Sequence, residues 1–368
     1  MNASKQTLLL KRILIWLVGI LLFFFLLDRF SRIIRVWGTD PGDPDRRTTL
    51  FYDLPKDRVD CVFAGSSHSY CTFIPKQLFE DAGIASASLA TSSQSMQNTY
   101  WLLNEMYHKQ SPQLVVLDIY SILAVTNPTV MEFRLRYTSG ISILPDLSPR
   151  KPAAYLDILH SDAEWVSNMT PYDAYGFLEY RGEYRRDRYP VTEFVNLFFS
   201  PAREYDTFGF YPTTTVYPLE ELSEGQVDQN NIDFTTLEEY QYLNQIYELL
   251  QRHGTKLLLV RAPYSTPEDN YCHLYEQILA WAEEHQVPVI DYFALIEETR
   301  INLATDFRDE GHLNYLGARK ATAYLLEYLT EHYTLPDHRG DSRYALWEEN
   351  DYDYTAVEEQ ILRNLSSQ

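Results

Sequence analysis

The sequence predicts an α/β protein: a mostly parallel, doubly wound sheet in three layers, with helices on both faces. Three observations lead there. Apolar runs of strand length alternate with longer segments of helical period between residues 51 and 335, as when successive parallel strands are joined by crossover helices. The run QLVVLDIYSI (113–122) is apolar without alternation, the character of a strand buried on both faces. A chain of 368 residues can bury a full core, and three cysteines, Cys61, Cys71 and Cys272, are too few for a disulfide framework. Cys61 lies inside an apolar run and reads as core.

The N-terminal stretch Leu8 to Leu27, LLLKRILIWLVGILLFFFLL, comes first. A bilayer-spanning helix needs roughly 17–25 residues, and Lys11 and Arg12 can snorkel at its edge. DRFSRIIRVW follows with no small-x-small cleavage site, so residues 8–30 read as an uncleaved signal anchor. Lys5, Lys11 and Arg12 before the span nearly balance Arg29, Arg32 and Arg35 after it. Charge bias therefore leaves the topology open, and the expectation is an inside N-terminus with the body outside. Residues 31–50, containing GTDPGDPDRR, read as a linker, with the folded part starting near Leu50.

The elements then follow in order. Val59–Ala64 and Ile84–Ala90 read as strands, Gln97–Tyr107 as a helix, and 113–122 as the third strand. TLEEYQYLNQIYELLQRHG reads as a helix with Leu237, Tyr240, Leu243, Tyr247 and Leu250 on one side and Gly254 as its stop. A strand at 255–263, the helix YEQILAWAEEHQ, a strand at 287–292 and a helix at 315–329 complete the series. Between about 124 and 233 the alternation gives way to an insertion that could roof a site or dock a partner. Its arginines Arg181, Arg185, Arg186 and Arg188 alternate with Glu179, Glu183 and Asp187, the pattern of a solvated, salt-bridged face. Residues 336–368 read as an acidic tail, whose Arg-Gly-Asp triplet is too short to carry weight.

The formal charge of −21 excludes a nucleic-acid partner, because a phosphate backbone would be repelled. The 29 tyrosines suit sugar surfaces as well as core packing.

Ligands of doubly wound sheets bind at the carboxyl ends of the strands. There VFAGSSHSY (62–70) ends the first strand with a glycine that permits a sharp turn, followed by Ser66 and Ser67. Either serine could be a nucleophile or a helix cap. A serine nucleophile needs a base and an orienting carboxylate. DFRDEGHLNYLGARKA (306–321) supplies Asp309 and His312, three apart in a glycine-containing loop before the last helix. His68 adjoins the serines on the chain, where neighbouring side chains diverge, and reads as a wall residue. Asp306, Asp309 and His312 as metal ligands lack a further His or Cys cluster, so no metal or other cofactor is expected. His160 reads as a surface or packing residue.

In these two blocks the chain resembles the SGNH/GDSL hydrolases, which place Gly-x-Ser after strand one and Asp-x-x-His before the terminal helix. Gly65-Ser66-Ser67 and Asp309-x-x-His312 match, and the resemblance makes Ser67 the nucleophile, His312 the base and Asp309 its orienting partner. It covers roughly Val59 to Leu329, without the insertion, and implies a flavodoxin-like three-layer fold. The N-terminal anchor and HLNYLG are similar to the membrane-tethered branch that includes the D-alanyl transfer protein of teichoic-acid modification and polysaccharide O-acetyltransferases. That likeness implies a single-pass protein of the bacterial cell membrane with an extracytoplasmic body. It further implies a serine esterase or O-acyltransferase acting on acyl esters of envelope glycopolymers, with a membrane-embedded acyltransferase as a possible partner.

The family's glycine and asparagine oxyanion donors are absent: LATSSQSMQN follows strand two and LDIYSI ends strand three. The Ser67 amide and an amide of Ser92 or Ser93 are the expected substitutes, with the Gln94 or Asn98 side chain and Asp118 as further site candidates. The alternative is a non-catalytic scaffold of an envelope polysaccharide modification or assembly complex.

Overall fold

A computed structural model describes residues 3–37, 44–124, 144–145, 147–160, 195, 198–199, 206–222, 232–265 and 272–366. The arginine cluster at 181–188 lies outside them. The first half comprises helices α1 (Ala3–Trp37) and α2 (Pro44–Asp53), strand β1 (Cys61–Gly65), α3 (Ser67–Thr72), α4 (Pro75–Ala82), β2 (Ser86–Ala90), α5 (Met96–Met106), β3 (Leu114–Asp118), α6 (Tyr120–Leu123) and α7 (Arg150–Leu159). The second half adds α8 (Glu238–His253), β4 (Lys256–Arg261), α9 (Cys272–Glu284), β5 (Val289–Asp291), α10 (Ile296–Thr299), α11 (Tyr315–His332), α12 (Ala345–Glu348) and α13 (Tyr354–Ser366).

The five strands form one all-parallel sheet in the order β2-β1-β3-β4-β5. Alternate residues of each strand enter the two cores, as a period of two requires. Val62, Ala64, Val115, Leu117, Leu257 and Leu259 pack on one side with α5, α8 and Trp281 of α9. Cys61, Phe63, Leu114, Val116, Leu258 and Val260 pack on the other with Leu78 of α4 and Ala321, Leu325 and Leu329 of α11. This is the expected three-layer arrangement. The strand order reverses between β1 and β3, so their carboxyl ends open a crevice between the two halves of the winding.

α8 shows why several local readings hold. It begins with Glu238 and Glu239, ends with Arg252 and His253, and stops at Gly254 at φ +71, each favourable to the helix dipole or the left-handed cap. Its buried face is nevertheless rotated from the expected one: Tyr242, Leu243, Ile246, Leu249 and Leu250 are inside, while Leu237, Tyr240 and Tyr247 flank the core. The third strand also ends earlier, at Asp118, because that carboxylate accepts the Tyr120 N–H and starts α6.

α1 contains the one helix among the described residues long and apolar enough to cross a membrane, Thr7–Ile33. A signal sequence passes the same test of length and composition. Its far end docks on the body: Ser31 and Ile33 are buried, and Arg32 pairs with Asp53 of α2. The stretch read as a linker is helical on both sides of residues 38–43, and Arg47, Thr48, Thr49 and Leu50 are buried. Pro44 opens α2, a position where its missing N–H has no cost.

Two further segments are integral to the body. Residues 206–222, the end of the expected insertion, form an extended strap whose Tyr211 N–H reaches Tyr70 O, whose Tyr217 N–H reaches Phe307 O, and whose Leu219 N–H reaches Leu303 O. The segment read as an acidic tail packs down as well: Trp347 donates to Ser86 O and stacks on Phe208 of the strap. His338 pairs with Asp60 at the base of β1, and Ile361 of α13 is fully buried. His160 caps α7 at the surface, bonded back to Leu156 O.

Candidate active site

The two serines after β1 have different tasks. Gly65 sits at φ +121, and a Cβ there would stand 2.8 Å from Asp118 Cβ, so the turn needs glycine on both counts. Ser66 is the N-cap of α3: its Oγ accepts the His68 N–H at 3.3 Å and donates to Asp118 Oδ2 at 2.5 Å. Its own N–H donates to the same oxygen. Capping and anchoring therefore occupy Ser66, which is fully buried. Ser67 is left as the first residue of the helix, half-buried, with an N–H that has no intrahelical acceptor.

The partner loop is a tight hairpin pinned by a bridge between Phe307 and Leu313 and by Arg308 N–H to His312 O at 3.0 Å. Asp309 Oδ1 accepts the Gly311 N–H at 2.9 Å and His312 Nδ1 at 2.8 Å, while its Oδ2 accepts Arg308 Nε at 2.8 Å. Burial works against the Asp309 anion, but the hydrogen bond and charge of His312, followed by those of Arg308, hold its carboxyl well below the usual carboxylate range. With Nδ1 donating to Asp309, Nε2 of the neutral imidazole is left to accept, and it lies 2.7 Å from Ser67 Oγ. Ser67, His312 and Asp309 thus form one continuous hydrogen-bonded chain.

Asn314, in HLNYLG, holds that hairpin in place. Its Oδ1 caps α11 through Leu316 and Gly317 N–H, and its Nδ2 donates to carbonyls of Thr215, Thr305 and Phe307. A Cβ at Gly317 would stand 2.5 Å from Asp306 O, so α11 can approach the hairpin only without one. Asp306 accepts Lys320 Nζ and the Asn302 N–H, a structural pairing. No group of three or more His, Cys, Asp or Glu that could hold a metal ion occurs among the described residues.

His68 does more than adjoin the serines. Its buried ring stacks on His312 at 4.8 Å between centroids, on Tyr120 at 3.8 Å and against Tyr264 at 5.3 Å. Burial, then the neighbouring His312, push its imidazole well below the usual histidine range, so it is a neutral plate against which the His312 ring is held. Its Nδ1 is buried without a hydrogen-bond partner among the described residues.

The remaining candidates divide. Ser92 and Ser93 are half-buried in the loop after β2. That loop is tied to β1 by Thr91 N–H to Gly65 O and to α3 by Tyr70 OH and Ser92 Oγ at 2.9 Å. Ser93 adopts φ +48, unusual for a residue with a Cβ. Gln94 does not face the serine: its side chain is fully buried and donates to Thr99 Oγ1 at 2.9 Å, folding back onto α5. Asn98 is buried in the first turn of α5, its N–H taken by the Ser95 cap. Asp118 is an anchor rather than a substrate contact, fully buried beneath Ser66. Burial raises its pKa to about 6 against the hydrogen bonds from Ser66 and Tyr120.

Sequence reasoning passed over Arg308, Tyr120, Tyr264 and the strap residue Tyr211. Arg308 is adjacent to Asp309 and could have been found by asking what holds the second carboxylate oxygen. Tyr211 carries no local signal, because it reaches Tyr70 from a distant stretch of chain.

The fold and this site define a doubly wound α/β protein with a Ser–His–Asp chain at its topological switch point. No protein-family model matches the chain, and no curated protein matches it. Among solved structures it is similar to a Bacteroides fragilis protein provisionally named an acylhydrolase, with 12% identity over 80% of this chain and 98% of that one and a TM-score of 0.37. A likeness so distant bears on neither site nor function.

Proposed function

We propose that the protein is a membrane-tethered serine enzyme of the SGNH type, an esterase or O-acyltransferase acting on acyl esters of envelope glycopolymers. The observation that carries this reading is the chain from Ser67 Oγ through His312 to Asp309, at 2.7 and 2.8 Å. In it, Ser67 Oγ attacks the acyl carbonyl as its proton passes to His312 Nε2, and Asp309 steadies the resulting imidazolium. The oxyanion meets the Ser67 N–H and an amide of the Ser92–Ser93 turn. Collapse releases the alcohol, which takes the proton from His312 and leaves an acyl-serine. Water or a sugar hydroxyl, deprotonated by the same imidazole, resolves that ester; water gives hydrolysis and a hydroxyl gives transfer.

The tether supports the envelope assignment. The end of α1 is docked on α2 through Arg32 and Asp53, which would hold the body close to the membrane, within reach of a membrane-embedded acyltransferase. A fluorophosphonate probe tests the chemistry. Full-length protein should label in a 1:1 ratio and Ser67→Ala should not. Absence of labelling in folded wild type, the outcome expected of a non-catalytic scaffold, overturns the reading.

A further inference from the structure

Arg47, on α2, is only 3% exposed, yet it makes no ion pair with any described residue. Its Nη1 donates to Gly209 O at 3.4 Å, while Nε and Nη2 are buried with no acceptor among the described residues. A chain with 52 acidic residues had carboxylates to place there. The comparably buried Arg261 pairs with Asp291 at 3.3 Å, as buried cations ordinarily do. The two unused N–H groups are neighbours on one edge of the guanidinium, the edge that binds two oxygens of a carboxylate or phosphate side by side.

The setting links the guanidinium to the catalytic chain through two tyrosine rings. The guanidinium lies 3.7 Å over the ring of Tyr70 and 5.7 Å from that of Tyr211. Tyr70 stands one helical turn after Ser67, and its hydroxyl meets Ser92. Arg308 lies 5.5 Å from the Tyr211 ring. Its Nε holds Asp309, while its terminal nitrogens bond no described residue. Tyr211 and Ser92, which both touch Tyr70, are only half-buried.

We propose that Arg47, with Arg308 at its side, forms a subsite for a carboxylate or phosphate carried by the substrate, so that the enzyme prefers acyl esters of acidic sugars or sugar phosphates. The inference rests on the proposed serine chemistry and names its substrate class.

The test compares acetate release from three O-acetylated substrates: methyl glucoside, methyl glucuronide and glucose 6-phosphate, with full-length protein in detergent. At least one charged ester should exceed the neutral one about tenfold in kcat/KM, chiefly through KM, and Arg47→Gln should remove about that factor from the ratio. The better charged ester tells carboxylate from phosphate. Equal kcat/KM for all three in wild type, or an unchanged ratio in Arg47→Gln, overturns the subsite. Should Arg47→Gln not fold, Arg47→Lys, which keeps the charge without the paired edge, must lose part of the ratio; full retention overturns the proposal. If no ester is cleaved, the serine reading fails separately. Calorimetric binding of methyl glucuronide and glucose 6-phosphate to Ser67→Ala then decides: binding lost on adding Arg47→Gln supports the subsite, and no binding overturns it.

Discussion

Asp118→Asn isolates the cost of keeping a carboxylate beneath the Ser66 turn. Asp118 is fully buried; its Oδ2 accepts from Ser66 N at 3.2 Å and Ser66 Oγ at 2.5 Å, and its Oδ1 from Tyr120 N at 3.2 Å. Burial outweighs these bonds and raises its pKa from 3.8 to about 6. A raised carboxyl pKa means that the folded state holds the proton more tightly than the unfolded chain. This contribution to stability is fully present below pH 3.8 and is lost as pH rises through 6. At about 1.36 kcal/mol per unit, the shift makes the ionised group cost about 3 kcal/mol above that window. Asparagine keeps the shape and an acceptor oxygen but carries no titrating proton. The stability difference between Asp118→Asn and wild type should therefore move by about 2.4 kcal/mol in favour of the variant between pH 4 and pH 7.5. Urea unfolding of the full-length proteins in one detergent, at several pH values, reads that difference, because other titrating groups cancel. A difference that stays flat across the window would refute the assignment of a buried, near-neutral carboxyl to this position.

Three further outcomes follow from the geometry. Asp309→Asn should lower kcat by about 10³–10⁴, because the amide cannot hold His312 with Nε2 free to accept; activity near wild type on any cleavable ester would dissolve the triad. His68→Ala removes the buried ring stacked on His312 and should lower kcat more than KM, with a stability loss of about 1–3 kcal/mol in urea titration. Restoration of kcat by His68→Phe is expected if the plate, rather than its nitrogens, does the positioning, and failure of that rescue counts against it. Gly65→Ala drives a Cβ to 2.8 Å from Asp118 Cβ at φ +121 and should destabilise by more than about 2 kcal/mol, whereas a wild-type unfolding midpoint would mean that the turn can relax.

Much of this architecture was readable along the chain. Apolar runs marked all five strands to within a few residues, and Gly254 marked the end of α8, because burial on both faces and left-handed caps leave signatures in neighbouring residues. The trio was readable too. A glycine-serine turn and Asp-x-x-His are each local patterns, and their order suits a sheet whose first and last loops meet at one edge. Ser67 and His312 are 245 positions apart, yet each announces itself without the other.

What the chain alone left open was everything decided by which distant surface arrives. By their local sequence Ser66 and Ser67 were equivalent and only the family resemblance favoured Ser67; Asp118 on β3 takes the Ser66 hydroxyl and leaves that of Ser67 to His312. His68 read as a wall until α3 laid its ring on His312. Gln94 was a site candidate only on paper, since Thr99 was close enough to take its amide. Residues 44–50, 206–222 and 337–366 look like linker, insertion and tail because polar, Pro-rich and acidic composition records no long-range contact. They became core through Arg47 on Tyr70, Tyr211 on α3 and Trp347 on Phe208. Periodicity reports which residues want to be buried, and only the folded chain supplies the groups that bury them.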